Sequence, residues 1–173
     1  MPIRYLTGDA TEPEPVRNGG PRIIAHIVNP VGAWGAGFVL AVSQKWPHIR
    51  PQYLDLCAQF DAEKRSPLGH LQVVPAQPGL FVANLFGQLA PLHKRPIRYD
   101  ALYNALEQLT AYIANELPDA SVHMPRIGAG LARGHWPIIE AIIEHTLVDA
   151  GVPTFVYDLA AASTSPGRVS PRT

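Results

Sequence analysis

Apolar residues fall along this chain in two alternating rhythms. Short, nearly unbroken apolar runs rich in β-branched residues occupy residues 23–28, 80–86, 122–124 and 152–159, and read as buried strands. Residues 3–6 and 71–75 are shorter runs of the same kind. The Gln77-Pro78-Gly79 turn would join 71–75 to 80–86 as a hairpin. Between these runs the apolar positions recur at helical spacing. Residues 38–46 form such a segment, stopped by Pro47, and residues 51–60 form another, with Tyr53, Leu54, Cys57 and Phe60 on its apolar side. The longest spans 96–117, where Leu102, Leu106, Leu109 and Ile113 share a face before Pro118. Residues 137–147 start a last helix with Pro137 in its first turn. Three prolines and a Gly19-Gly20 pair make 11–21 a loop. Strands interleaved with helices predict an α/β protein: a three-layer α/β/α sandwich on a mixed, mostly parallel sheet of about six strands. It would form one domain over 1–159, and the small, polar and proline-containing tail at 160–173 is expected to be disordered.

Composition narrows this picture. An apolar content of 47% against 16% charge places the chain among folded globular proteins. Fourteen basic and fourteen acidic side chains cancel, so overall charge argues for no nucleic-acid patch and no attraction to an anionic membrane. An anionic small ligand would therefore be held by main-chain dipoles. The one cysteine, Cys57, cannot form an internal disulfide, which fits a reducing cytoplasm. No signal-peptide pattern opens the chain, and no apolar run approaches the ~20 residues of a membrane span. The seven histidines lack ligand spacing and no carboxylate cluster accompanies them, so neither a metal nor a cofactor is expected. A monomer is the expectation.

Two glycine-rich loops carry the candidate chemistry. The first, Asn29-Pro30-Val31-Gly32-Ala33-Trp34-Gly35-Ala36-Gly37, leaves the 23–28 strand and enters a helical segment. The second, Ile127-Gly128-Ala129-Gly130-Leu131, leaves the 122–124 strand and also runs toward a helix. Glycine admits backbone close to a ligand, and a helix N-terminus behind it offers free N–H groups that suit phosphate. Two such loops suggest a diphosphate gripped by main chain from both sides. The chain has no Gly-Lys-Ser/Thr phosphate loop, and Gly32, Gly35 and Gly37 have the reverse of the dinucleotide-binding spacing. Tight turns without a ligand are the simpler alternative.

Four segments together resemble the macrodomain family in order and spacing: Thr7-Gly8-Asp9-Ala10, the His26-Ile27-Val28-Asn29 run with its glycine loop, Met124 through Leu131, and Val156-Tyr157-Asp158-Leu159. The resemblance spans nearly the whole chain and is closest to the branch with terminal ADP-ribose protein glycohydrolase and yeast ADP-ribose-1''-phosphate phosphatase. It implies that ADP-ribose or an ADP-ribosylated molecule is the partner. Asp9 and the Ala10 N–H would meet the adenine, with Tyr157 and Leu159 packing nearby. Gly32, Gly35, Ala36, Gly37 and Phe38 would face Ile127, Gly128, Ala129, Gly130 and Leu131 across the diphosphate. Trp34 and Asn29 would approach the distal ribose.

The same resemblance makes His26 and Asn29 catalytic candidates, and Gln88, just past the end of the 80–86 strand, joins them by its position. His26 would handle a proton with a pKa near neutral, and Asn29 or Gln88 would position water. His93, His135 and Arg126 flank the site with weaker claims. The chain departs from the glycohydrolase where that enzyme keeps its Asp and Lys: Ala132 follows Gly130-Leu131, and 83–88 holds no lysine, with Lys94 lying beyond it. The expected activity is hydrolysis of a phosphate, an ADP-ribosyl linkage or an acyl group at the distal ribose; the alternative is a reader that binds without chemistry. The plain structural alternatives are a turn-forming Asp9, a satisfied strand His26, a loop-amide Gln88 and a core Tyr157.

Overall fold

The apolar runs pair side by side into one sheet in the computed structural model, which describes residues 1–160. In chain order, the strands are β1 (Arg4–Thr7), β2 (Arg22–Val28), β3 (Leu71–Gln77), β4 (Leu80–Phe86), β5 (Ser121–Pro125) and β6 (Thr154–Asp158). Across the sheet they lie in the order β1-β6-β5-β2-β4-β3, all parallel except the β3–β4 hairpin. The helices are α1 (Phe38–Lys45), α2 (Ile49–Ala62), α3 (Tyr99–Glu116) and α4 (Trp136–Ile143), the last running on into a π-helical turn, Glu144–Val148. The expectation for 160–173 lies outside the described residues from 161 onward.

Strand alternation splits the core into two layers, because successive side chains point to opposite faces. Ile23, Ala25, Leu85, Val122 and Met124 pack under α3 and α4. Ile24, Val28, Val82 and Phe86 pack under α1 and α2 with Tyr53 and Trp46. The Leu102–Leu106–Leu109–Ile113 stripe is wholly buried, at ~2 kcal/mol per side chain. A third small cluster, Ala10, Phe155 and Tyr157, closes the β1–β6 end.

Two boundaries differ from the sequence pattern for local reasons. Helix α3 starts at Tyr99 and not at 96, because Arg98 is extended and the Ile97 N–H bonds to the Ala132 carbonyl (3.0 Å). Helix α2 starts two residues before Pro51, which sits in its first turn, where a proline N–H is not missed. The parallel strands β5, β2 and β4 all end on one edge of the sheet. There the chain leaves into the two glycine loops and the segment after β4, and such an edge is where open α/β sheets take ligands.

Candidate functional site

A cavity of about 460 Å³ opens on that edge. Its floor is the end of β2, from His26 to Asn29. One wall is the first glycine loop, with Gly35, Ala36, Gly37 and Phe38; the facing wall is the second, with Ile127, Gly128, Gly130 and Leu131. Gln88, Pro91 and Pro96 close the β4 end, and Pro125 and Arg126 the β5 end. Among the lining residues only His26 and Arg126 can carry charge; no carboxylate faces the cavity.

The first loop is shaped by one side chain. The Asn29 carboxamide oxygen accepts from the N–H groups of Val31 and Ala33 (3.1 Å each) and from the Tyr53 hydroxyl (3.1 Å), while its nitrogen donates to the Ala33 carbonyl (2.7 Å). Asn29 therefore holds the loop, and its amide keeps one N–H donor beyond these bonds. Gly37, in the left-handed region (φ 81°), is the N-cap of α1. The N–H groups of Gly35, Ala36, Gly37 and Phe38 find no intramolecular acceptor among the described residues. They lie at the positive end of α1.

The second loop is a turn packed from below. Gly128 has φ 71°, and a Cβ there would lie 2.8 Å from Ile97 Cδ1 and 3.1 Å from Ile139 Cδ1. The Gly134 N–H bonds to the Gly128 carbonyl (2.7 Å). Gly128, Gly130, Leu131 and Ala132 keep free N–H groups among the described residues. Residues 132–135 separate this loop from α4, so helix α4 does not start directly behind it as α1 does behind the first. Ala132, at the position of the glycohydrolase's Asp, is buried.

His26 lies under the first loop, 1% exposed, between the rings of Trp34 and Phe38 (centroids 5.5 and 5.6 Å). Its Nε2 meets the Asn84 side-chain oxygen, and Asn84 in turn donates to Gln72 (2.9 Å). Burial pushes the His26 pKa down to about 4, against the opposing hydrogen bond from Asn84. The ring is thus neutral at pH 7, in place of the near-neutral titration expected of an open histidine.

The other sequence candidates distribute unevenly. Trp34 is core: its indole N–H donates to Ser43, its ring packs on Tyr53, and it does not line the cavity. Gly32 and Ala129 are not among the residues that line the cavity. Asp9, Ala10 and Tyr157 sit outside the lining at the neighbouring β1–β6 end. Asp9 Oδ1 accepts from the Thr11 N–H and hydroxyl (2.8 and 2.7 Å). The Tyr157 hydroxyl accepts from the Glu14 N–H (3.0 Å) and meets buried His123 (2.8 Å). Gln88 stands at the cavity's β4 end, bridged to Ile97. His93 and Lys94 are exposed on the loop beyond it, and His135 is the N-cap of α4.

Arg126 is braced. It forms a two-pronged ion pair with Asp158 (2.6 and 2.9 Å) and lies 5.1 Å from the ring centroids of both Tyr5 and Trp136. Its hydrogen bond holds the Asp158 carboxyl below the usual range. Nothing in the sequence pattern singles out Asn84, Pro91 or Pro96 for the site, and Tyr53 reads there only as an apolar helix position. The one visible signal for Asn84 is an amide inside an otherwise apolar strand. No group of three or more metal-ligating side chains occurs, and no helix is long and apolar enough to cross a membrane, among the described residues.

Comparison with known proteins places this geometry. A macrodomain protein from Streptomyces coelicolor is 43% identical, with a TM-score of 0.77 over 90% of this chain and 98% of that one. The ADP-ribose 1''-phosphate phosphatase of Scheffersomyces stipitis is 28% identical over 87% of this chain and 98% of its own length. A mutant Oceanobacillus iheyensis macrodomain, solved with ADPR, shares the fold at 17% identity, with a TM-score of 0.63 over 90% of this chain and 83% of that one. No family model matches the chain.

Proposed function

The chain belongs to the macrodomain family, and we propose that its cavity binds ADP-ribose and that the protein hydrolyses a group carried on the distal ribose. The observation that supports binding is the pair of facing walls, each with four residues that line the cavity and whose N–H groups have no intramolecular acceptor among the described residues. A diphosphate supplies acceptors to both walls at once, and main-chain donors hold it without any basic side chain. In this reading the adenosine extends toward Arg126 and the Asp9 end, and the distal ribose toward His26 and Gln88.

The chemistry follows from what the cavity contains. The described residues lining the cavity include no carboxylate to act as a base. A 1''-phosphate is the preferred target: Gln88 can orient a water that attacks phosphorus as the P–O1'' bond breaks. The water's proton passes through a phosphate oxygen to the leaving O1'', inorganic phosphate and ADP-ribose are released, and wall N–H groups stabilise charge developing on the phosphoryl oxygens. The name of the phosphatase relative points the same way. His26, neutral at pH 7, serves as a hydrogen-bond acceptor and not as an acid.

A reader without chemistry is the second reading, favoured by the neutral His26 and the bare walls. Calorimetry with ADP-ribose tests binding: no heat at high micromolar ligand sinks both readings. A panel of ADP-ribose-1''-phosphate, O-acetyl-ADP-ribose and ADP-ribosylated protein or nucleic acid then separates them. Turnover of none leaves the reader.

A further inference from the structure

We propose that Asn84 is a positioning residue that fixes His26 as its Nε2–H tautomer, so that the Nδ1 lone pair is reserved for a hydroxyl of the bound ligand. Three observations carry this. Asn84 faces His26 directly across the β2–β4 register, and its oxygen meets Nε2. The orientation of the Asn84 amide is set from behind, because its nitrogen donates to the Gln72 oxygen (2.9 Å) while Gln72 donates to the Gln52 carbonyl (2.9 Å). An amide oxygen accepts only, so Nε2 must carry the proton and Nδ1 must be an acceptor. Finally, Nδ1 is the one buried side-chain nitrogen or oxygen among the described residues that has no hydrogen-bond partner. A buried acceptor is ordinarily satisfied, and an orphan on a residue that lines a cavity points to a donor that arrives with the ligand.

The surroundings leave no rival proton partner. On β4 and β3 the polar groups behind His26 are the uncharged amides of Asn84 and Gln72. From the first loop and α1 it meets the rings of Trp34 and Phe38, and from α2 the buried Tyr53 stands behind Trp34. No carboxylate and no cation influences its proton affinity; burial and Asn84 are the only causes. A carboxylate at position 84 would reverse this by favouring the doubly protonated ring, and Nδ1 would become a donor.

The inference rests on the reading of the cavity as an ADP-ribose site, and the experiment separates the two. Histidine labelled with nitrogen-15 is followed by NMR in the wild-type protein between about pH 5.5 and 8, alongside calorimetry. The expected result is a His26 whose Nε2 alone is protonated across this range and whose Nδ1 resonance moves when ADP-ribose is added. A proton on Nδ1, or an Nδ1 resonance left in place by ADP-ribose that demonstrably binds, overturns the role of Asn84. Absence of binding overturns the function and this role together. In Asn84→Asp, the carboxylate should favour the doubly protonated ring, so that Nδ1 carries a proton at pH 6 and loses it toward pH 8. A folded Asn84→Asp protein whose Nδ1 resonance is unchanged across this range contradicts the proposal; if that variant does not fold, the wild-type tautomer still decides.

Discussion

The two glycine loops face each other across one cavity, yet they reach their shapes by different means. The first is held by hydrogen bonds: the Asn29 amide ties Val31 and Ala33, and Tyr53 ties Asn29 by its carbonyl (2.6 Å) as well as its side chain. It ends directly in α1. The second is held by main-chain hydrogen bonds, such as Gly134 N–H to the Gly128 carbonyl, and by close packing of Gly128 over Ile97 and Ile139, with no side-chain amide to tie it, and it is a turn that stops short of α4. Similar glycine patterns therefore make two different devices. One can be loosened by removing a single side-chain amide, and the other is most directly disturbed by adding atoms at Gly128.

The largest expected effect tests the packed loop. Gly128→Val adds a branched side chain to a left-handed residue with no room beneath it, at a cost of about 2–5 kcal/mol. Urea unfolding should show the loss; an unchanged midpoint would mean that the second loop is not fixed by packing. Asn29→Ala strikes the first loop by stranding the Val31 and Ala33 N–H groups, at about 1–3 kcal/mol. Here ADP-ribose affinity should fall at least about tenfold. If stability falls while affinity holds, the hydrogen-bonded shape is not what binds the ligand.

Acid sharpens the comparison, because an ionisable ring lies under the first loop and none under the second. Free histidine takes up a proton near pH 6.5, but folded His26 resists until about pH 4. The unfolded chain thus binds the extra proton throughout that window. Stability is full above it and is lost as pH falls through it, by about 2 kcal/mol from His26 between pH 7 and pH 5. Buried His123, also depressed to about 4, adds a comparable loss far from the cavity. A His26→Phe variant should lose correspondingly less stability on acidification; an identical pH dependence would show that His26 titrates normally. The smallest effect on stability belongs to Gly35→Ala. Its Cβ meets nothing within 4 Å and its φ is not left-handed, so unfolding should shift by no more than about 0.5 kcal/mol. The added methyl enters ligand space, and weakened ADP-ribose binding at unchanged stability is the expected signature.

Much of this was legible in the sequence, because periodicity and punctuation are local. The strands and helices fall where β-branched runs and helical spacing put them, and both glycine loops stand at strand ends. Aromatic residues were less legible. Trp34 and Tyr157 lie in ligand-like motifs, but their rings are buried in core clusters, and only three-dimensional neighbours distinguish a pocket wall from packing. Asn29 was recognisable as a site residue while its work, shaping the loop, was not. The His26–Asn84 pair joins positions 58 residues apart through strand register, which no local pattern encodes. The departure at Ala132 was visible from sequence alone, and the cavity walls hold no carboxylate to replace the missing Asp.

The Tyr53 hydroxyl has a wider reach than the loop it touches. Tyr53 belongs to α2, so the fourteen-residue helix is hydrogen-bonded to the first loop at Asn29, beside the contact of Leu54 with Gly32. Occupancy of the cavity should then slow amide exchange along α2, a surface helix that contacts no ligand, while the amides of α4 keep their rates. In Tyr53→Phe, that remote protection should vanish even where the ligand still binds.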